Sequence, residues 1–126
     1  MEPRSTGRPS ASGDAMEACI RACEDCLVAC EQCSVAHQDE TGLSARLCRD
    51  CADVSALCVR LMARESRFHP KACALNAEIC RACAEECGKH DNDHCRACAE
   101  ACLRCAEACE RMAGSAATAA LPARRS

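Results

Sequence analysis

Residues 95–109 read CRACAEACLRCAEAC and carry cysteine at positions 95, 98, 102, 105 and 109. The spacing alternates between three and four residues, which is the pattern of a single stripe along an α-helix. Side chains three or four apart on a helix are neighbours, so the segment predicts a helix with a row of thiols on one face. The remaining positions hold mainly Ala, Glu, Arg and Leu, which favour helix formation.

The same stripe recurs in three earlier segments of the 126-residue chain. Within each segment the cysteines are three, four or seven residues apart, so they share one face of a helix. β-branched and aromatic residues are scarce, and no segment has the pattern of a strand. The 17 cysteines are Cys19, Cys23, Cys26, Cys30, Cys33, Cys48, Cys51, Cys58, Cys73, Cys80, Cys83, Cys87, Cys95, Cys98, Cys102, Cys105 and Cys109.

Short connections separate the four predicted helices. We expect the first helix over Asp14–His37, the second over Leu43–Phe68 and the third from Pro70 to Cys87, where Gly88 is a natural stop. The fourth follows the turn at 90–93 and ends at Ala113. Loops this short make neighbours antiparallel, which predicts an all-α, up-down-up-down four-helix bundle with a cysteine-lined core. The bundle domain spans 14–113, and 1–13 and 114–126 are predicted to be flexible tails.

Composition excludes several classes of protein. A net charge of −3 and the absence of Trp and Tyr exclude nucleic-acid binding as a function. No apolar run approaches the roughly 20 residues that span a membrane. Leu, Ile, Val and Phe total only 15 residues, too few for an ordinary core. Cysteine must therefore form the core.

The compartment bears on what so many thiols do. Residues 1–13 lack the apolar segment of a secretory signal, and the number of cysteines is odd, so we expect a cytoplasmic protein. In that reducing environment clustered thiols indicate metal binding more often than disulfides. Disulfides along a helix would also be strained. A core of protonated thiols or an iron–sulfur cluster fits less well, because ordinary burial explains only a few cysteines and no cluster-binding motif is present.

The charge of buried thiolates distinguishes the candidate metals. A tetrahedral Cys₄ zinc site keeps two net negative charges, and uncompensated buried charge is very unfavourable. One Cu(I) per thiolate leaves the core neutral, and soft sulfur ligands select Cu(I). CxxC and CxxxC pairs supply the two neighbouring sulfur atoms of linear coordination, whereas four-sulfur sites would require several helices to converge. The residues thus favour multiple Cu(I) ions per chain.

With these features the chain resembles the four-helix-bundle copper storage proteins of bacteria, in their cytosolic form. The resemblance covers about 14–113 and rests on inward-facing CxxC and CxxxC pairs in all four helices. It implies storage of Cu(I) by all 17 cysteines, no enzymatic activity, and association as a homotetramer. The row Leu47, Val54, Leu61 and Phe68 beside the second stripe could seal the bundle or an interface between chains.

The resemblance also implies that one end of the bundle is open and carries histidines. Here that end, which we call the mouth, holds His37, His90 and His94, and we expect His90 and His94 to bind or relay copper. A copper chaperone or a low-molecular-weight thiol is the expected donor. The opposite end, the closed end, collects Met16, Met62, Met112 and Phe68, with the methionines expected mainly to pack.

Two questions stay open at the level of sequence. Ser55 and Asn76 interrupt the cysteine stripes, so copper loading along the second and third helices is uncertain. The alternative function is a thiol redox sensor or a zinc-responsive sensor. Such a sensor requires exposed cysteines of low pKa.

Overall fold

The computed structural model describes residues 11–36 and 42–125, with side chains described for 13–36 and 42–114. This part of the chain forms four helices and no strand: α1 (Ala11–Ala36), α2 (Leu43–Ala63), α3 (His69–Cys87) and α4 (Asp93–Arg125). Each helix packs against the next, and α1 packs against α4. The diagonal pairs meet only through side chains at the bundle axis, as Cys26 does with Cys80 and Cys51 with Cys102. Cys19 meets Cys109 and Cys33 meets Cys95, so α1 and α4 run antiparallel. The predicted all-α four-helix bundle is confirmed.

The interior is built from sulfur rather than from branched aliphatic side chains. All 17 cysteines are 0% exposed. Small alanines and Met62 complete the core, so the helices approach closely. The larger apolar residues lie outside it, partly buried or exposed; the exposed ones are Val28, Val35, Leu43, Leu57, Phe68, Leu75 and Leu103.

Helix α2 ends at Ala63, five residues before the predicted end at Phe68. The chain turns through Glu65 at φ 53°, with Ser66 N–H donating to the Leu61 carbonyl and Glu65 N–H to the Met62 carbonyl. These two bonds form a Schellman motif, which normally places glycine or asparagine in the left-handed position. Because glutamate stands there, the sequence carried no stop signal. Phe68 consequently leaves the row of Leu47, Val54 and Leu61, and its exposed ring lies beneath the Arg67 guanidinium.

The other helix ends follow the sequence more closely. Helix α1 begins at Ala11, three residues before the predicted start, so Asp14 lies in its first turn and favours the helix dipole there. Pro70 occupies the first turn of α3, and the Asn92 side chain accepts the Cys95 N–H at the start of α4. Gly114, at φ 32°, bends α4 where the helix was predicted to end, and helical backbone resumes to Arg125.

The flexibility predicted for the two tails is not tested by the structure. Residues 1–10 lie outside the described residues, and flexibility of 1–13 and 114–126 stays a prediction. Among the four described helices, none has the combination of length and apolar character that a bilayer-crossing segment requires.

Candidate metal centre

The 17 thiols form a connected column along the axis of the bundle. All are free, and the shortest sulfur–sulfur distances, 3.3 Å, join Cys51 to Cys26 and to Cys80. Further Sγ–Sγ distances of 3.6 to 4.0 Å connect neighbouring turns, both within a helix and between helices. These spacings exceed the roughly 2.05 Å of a covalent disulfide, so the sulfur atoms are in contact but not covalently joined.

Thiols from different helices converge in groups of four. The CxxC and CxxxC spacing within a single helix indicated only pairs of thiols. In each group the sulfur atoms lie within 4.8 Å of one another. The convergence of several helices that a four-sulfur site requires is therefore present in the structure. The four-thiol groups are Cys26–Cys30–Cys51–Cys102, Cys30–Cys48–Cys83–Cys98 and Cys33–Cys48–Cys87–Cys98.

The groups overlap, and the overlap limits what they can hold. Cys30 belongs to two of the four-thiol groups, and Cys48 and Cys98 are shared by two as well. Separate tetrahedral zinc sites each need four thiolates of their own. Shared thiols instead suit ions that are bridged by sulfur. The arrangement is thus a continuous polythiolate rather than a row of independent sites.

Burial and hydrogen bonding set the protonation of the thiols. At the mouth, burial is the main cause that raises the pKa of Cys33 and of Cys95. Deeper in the column, thiol hydrogen bonds, with Cys102 the largest contributor, lower the pKa of Cys26 and raise that of Cys30. In the apoprotein many of these thiols therefore hold protons, which a metal ion must displace.

Two of the three predicted mouth histidines lie among the described residues. His94 is half-buried, with Nδ1 3.4 Å from Cys33 Sγ and 3.6 Å from Cys95 Sγ. His90 is exposed, and its Nε2 shares a 3.0 Å hydrogen bond with Ser44 Oγ at the start of α2. His37 lies outside the described residues. The structure thus brings His94 against the thiols and places His90 at the rim.

The closed end is sealed by a thioether. Met62 is 1% exposed, and its Sδ lies 3.9 Å from Cys73 Sγ. Met16 and Met112 are partly buried and pack against the core. His69 stands nearby in sequence; burial lowers its pKa, and its buried Nδ1 has no hydrogen-bond partner among the described residues.

Sequence reasoning missed one polar element of the core. Ser55 and Asn76 are both fully buried and bond to each other across α2 and α3, with Asn76 Nδ2 donating to Ser55 Oγ at 3.2 Å. Asn76 also reaches Cys105 Sγ at 3.5 Å. The signal was present as gaps in two cysteine stripes, but the sequence did not show that the two gaps face each other.

Comparison with known proteins gives consistent matches. The family model for copper storage proteins (Csp) matches residues 8–114. The chain is 53% identical over 90 residues to the cysteine-rich protein YhjQ of Bacillus subtilis, covering 68% of this chain and 83% of that one.

Solved structures agree with those matches. The Cu(I)-bound copper storage protein Csp3 of Bacillus subtilis is 50% identical, with a TM-score of 0.73 over 79% of this chain and 98% of that chain. Ccsp of Streptomyces lividans, loaded with 10 copper equivalents, is 31% identical, with a TM-score of 0.74 over 85% of this chain and 92% of that chain. The fold is therefore shared with proteins whose solved structures contain bound copper.

Proposed function

The chain belongs to the copper storage protein family, and on that premise we propose that its 17 buried cysteines hold multiple Cu(I) ions as thiolates. The observation that carries the assignment of these ligands is the sharing of Cys30, Cys48 and Cys98 between four-thiol groups. Bridging thiolates of this kind let many monovalent ions occupy one continuous column. Two relatives of known structure, one Cu(I)-bound and one loaded with 10 copper equivalents, support storage at this scale.

Charge balance supports Cu(I) as the stored ion. Every cysteine that releases its proton leaves a negative charge in an interior that is 0% exposed at all 17 thiols. Divalent ions in separate tetrathiolate sites would leave excess negative charge in the bundle. Monovalent copper, near one ion per thiolate, neutralises the column, and thiolate and thioether ligands favour it.

We place copper uptake at the mouth. His94 Nδ1 contacts two sulfur atoms that are themselves fully buried, so its imidazole is the first ligand an incoming ion meets before Cys33 and Cys95. His90, held by Ser44 at the rim, is assigned the relay from solvent. His37 completes the proposed set as a ligand or relay at the end of the first helix.

The proposed function also implies a cellular location, a copper donor and an oligomeric state. We propose a non-enzymatic cytoplasmic protein that receives copper from a chaperone or a low-molecular-weight thiol and that assembles as a homotetramer. The sensor alternative is not favoured, because all 17 thiols are buried and a sensing cysteine must be accessible.

The direct experiment is an anaerobic titration of the reduced apoprotein with Cu(I) in competition with a chelator, repeated with Zn²⁺. We expect tight uptake approaching one Cu(I) per thiol and much weaker zinc binding. The matched control is the same reduced chain unfolded in guanidinium chloride, whose 17 thiols are not preorganised and should bind more weakly. Saturation near about four ions with zinc preferred would contradict the proposal, because four is the number of closed Cys₄ sites that this many thiols can fill.

A further inference from the structure

A polar layer crosses part of the sulfur column. Ser55 on α2 and Asn76 on α3 are 0% exposed and hydrogen-bond to each other in both directions, at 3.2 and 3.5 Å. Asn76 Nδ2 points toward sulfur on one side of the layer, and Cys80 Sγ donates to Asn76 Oδ1 from the other side at 3.7 Å. An amide and a hydroxyl are hard oxygen and nitrogen donors, which Cu(I) does not prefer.

The layer separates two sets of thiols. Sulfur–sulfur hydrogen bonds connect the cysteines within each set, and those described between the sets join Cys105 to Cys26 and Cys80. The inner store, toward the closed end, consists of Cys19, Cys23, Cys58, Cys73, Cys105 and Cys109, together with the Met62 thioether. The outer store, toward the mouth, consists of Cys26, Cys30, Cys33, Cys48, Cys51, Cys80, Cys83, Cys87, Cys95, Cys98 and Cys102.

Cys105 is the point where the two stores come together. It hydrogen-bonds to Cys23 and Cys109 in the inner store, at 3.6 and 3.9 Å. Its sulfur also lies within 4.8 Å of those of Cys26 and Cys80 in the outer store. The approach joins Cys26 on α1, Cys80 on α3 and Cys105 on α4, beside the Asn76–Ser55 pair.

We propose that the core is two copper stores in series, and that Cys105 is the residue through which Cu(I) passes from the outer store to the inner one. This inference rests on the proposed function. A copper ion held by Cys26 and Cys80 gains a bond to Cys105 and then loses a bond to one of them. The proton of the incoming thiol goes to the thiolate that releases copper, so charge balances and no electron is transferred.

Asn76 has a positioning role in this scheme. Its Nδ2 donates toward Cys105 at 3.5 Å and toward Cys109 at 3.6 Å, which holds these two sulfur atoms against the layer. It also stands where a further cysteine would otherwise continue the stripe of α3, and so confines the passage to Cys105. The inner store then fills after the outer one and also empties after it.

The test compares Cys105→Ser with Cys102→Ser, a buried cysteine of the same helix that lies within the outer store. Reduced apoprotein is mixed rapidly with a Cu(I)–chelator complex, the Cu–thiolate absorbance is followed, and native mass spectrometry counts bound copper over time. For the natural chain we expect two phases, the slower one about a third of the amplitude, since six of the 17 thiols are in the inner store. Circular dichroism of each apoprotein checks that the bundle is retained.

Cys105→Ser should slow the second phase on the order of tenfold, while Cys102→Ser should lower the first amplitude and leave the rate of the second phase alone. Equal second-phase rates in the two variants would overturn the role of Cys105. Asn76→Cys, which adds a sulfur ligand within the layer, should merge the two phases into one. Two unchanged phases in that variant would show that the layer does not divide the core. Failure of the proposed function would look different, with the natural chain itself taking up only a few ions.

Discussion

The two ends of the bundle are built from different chemistry. At the mouth, the His94 imidazole touches Cys33 and Cys95, and His90 is hydrogen-bonded to Ser44. At the closed end, Met62 is fully buried against Cys73, beneath the tight turn that joins α2 to α3. The mouth presents a half-buried imidazole, whereas the closed end presents a buried thioether, which carries no proton.

This difference indicates a direction for copper. An imidazole at partial exposure can take an ion from a donor and pass it to thiols that lie deeper. A buried methionine fills space and excludes water, and it offers only a neutral sulfur. We infer that uptake and release share the mouth, and that the closed end contributes stability rather than a second opening.

The strongest way to break the comparison is Met62→Ala. Removal of a fully buried methionine should destabilise the apoprotein by about 2–5 kcal/mol, because apolar contact is lost and a cavity remains. Equilibrium unfolding in urea measures the change. The matched control, Met112→Ala, alters a partly buried methionine on α4 and should have a smaller effect. Equal, small effects in both variants would show that the closed end is not a packed seal.

The second prediction concerns pH. Burial raises the pKa of Cys33 and Cys95, so both hold protons at neutral pH and must release them to bind copper. Copper affinity should therefore fall as pH falls, by about a factor of ten per pH unit for each proton displaced. Chelator competition between pH 6 and pH 8 measures the slope, and an unbuffered titration should detect released protons. Affinity that does not change with pH would mean that the thiols are already ionised.

The stability of the apoprotein should show the opposite dependence on pH from that of copper affinity. Since folding raises the pKa of Cys33 and Cys95, their contribution to stability is complete below the unfolded thiol pKa of about 8.5. It is lost as pH rises toward the folded values, because the unfolded chain releases these protons first. We therefore expect the apoprotein to have a lower free energy of unfolding at pH 10 than at pH 7, and unfolding curves at the two pH values measure the difference.

The third prediction tests the mouth itself. His90→Ala together with His94→Ala should slow copper uptake on the order of tenfold, since the thiols beneath are buried and lose their first ligand. Capacity should change little, because all 17 cysteines remain. His69→Ala, near the closed end, is the control and should leave the rate alone. A similar slowing in both proteins would remove the functional distinction between the ends.

The stripe pattern of the cysteines was sufficient to predict most of the fold and of the thiol column. Cysteines spaced by three and four residues can share a face only in a helix, and a chain with 15 Leu, Ile, Val and Phe residues has no other core to bury. For that reason the four helices and the inward thiols could be predicted together. The convergence of Cys30, Cys48, Cys83 and Cys98 from four helices could not, because it depends on the axial register between helices.

Polar contacts across the bundle were equally hidden. Asn76 and Ser55 each looked like a missing cysteine, and only packing shows them hydrogen-bonded to each other. His90 was expected beside His94 as a ligand, yet it bonds to Ser44, a residue far away in sequence. Short-range spacing determines which face a side chain occupies, but it does not determine the partner on another helix.

The smallest expected effect concerns the backbone conformation of the turns at the two ends of the bundle. Helix α3 stops at Gly88, near the mouth, as the sequence predicted, and Gly88 keeps a helix-like φ of −66°. Glu65, at the closed end, has φ 53°. A side chain in the left-handed region costs about 1–2 kcal/mol. Substitution by glycine removes this cost, but the flexibility of glycine in the unfolded chain offsets part of the gain in stability. Glu65→Gly should therefore stabilise the apoprotein by about 0.5–1 kcal/mol, measured as a shift in the urea midpoint.

The control for this variant is Glu65→Ala, which removes the same carboxylate but keeps a Cβ at φ 53°. It should give no gain, because the backbone strain remains. If alanine and glycine stabilised the protein equally, the gain would come from loss of charge near His69 rather than from the turn. If only glycine does so, the closed end is held by a tight turn under strain, and copper uptake at the mouth should be the same in both variants.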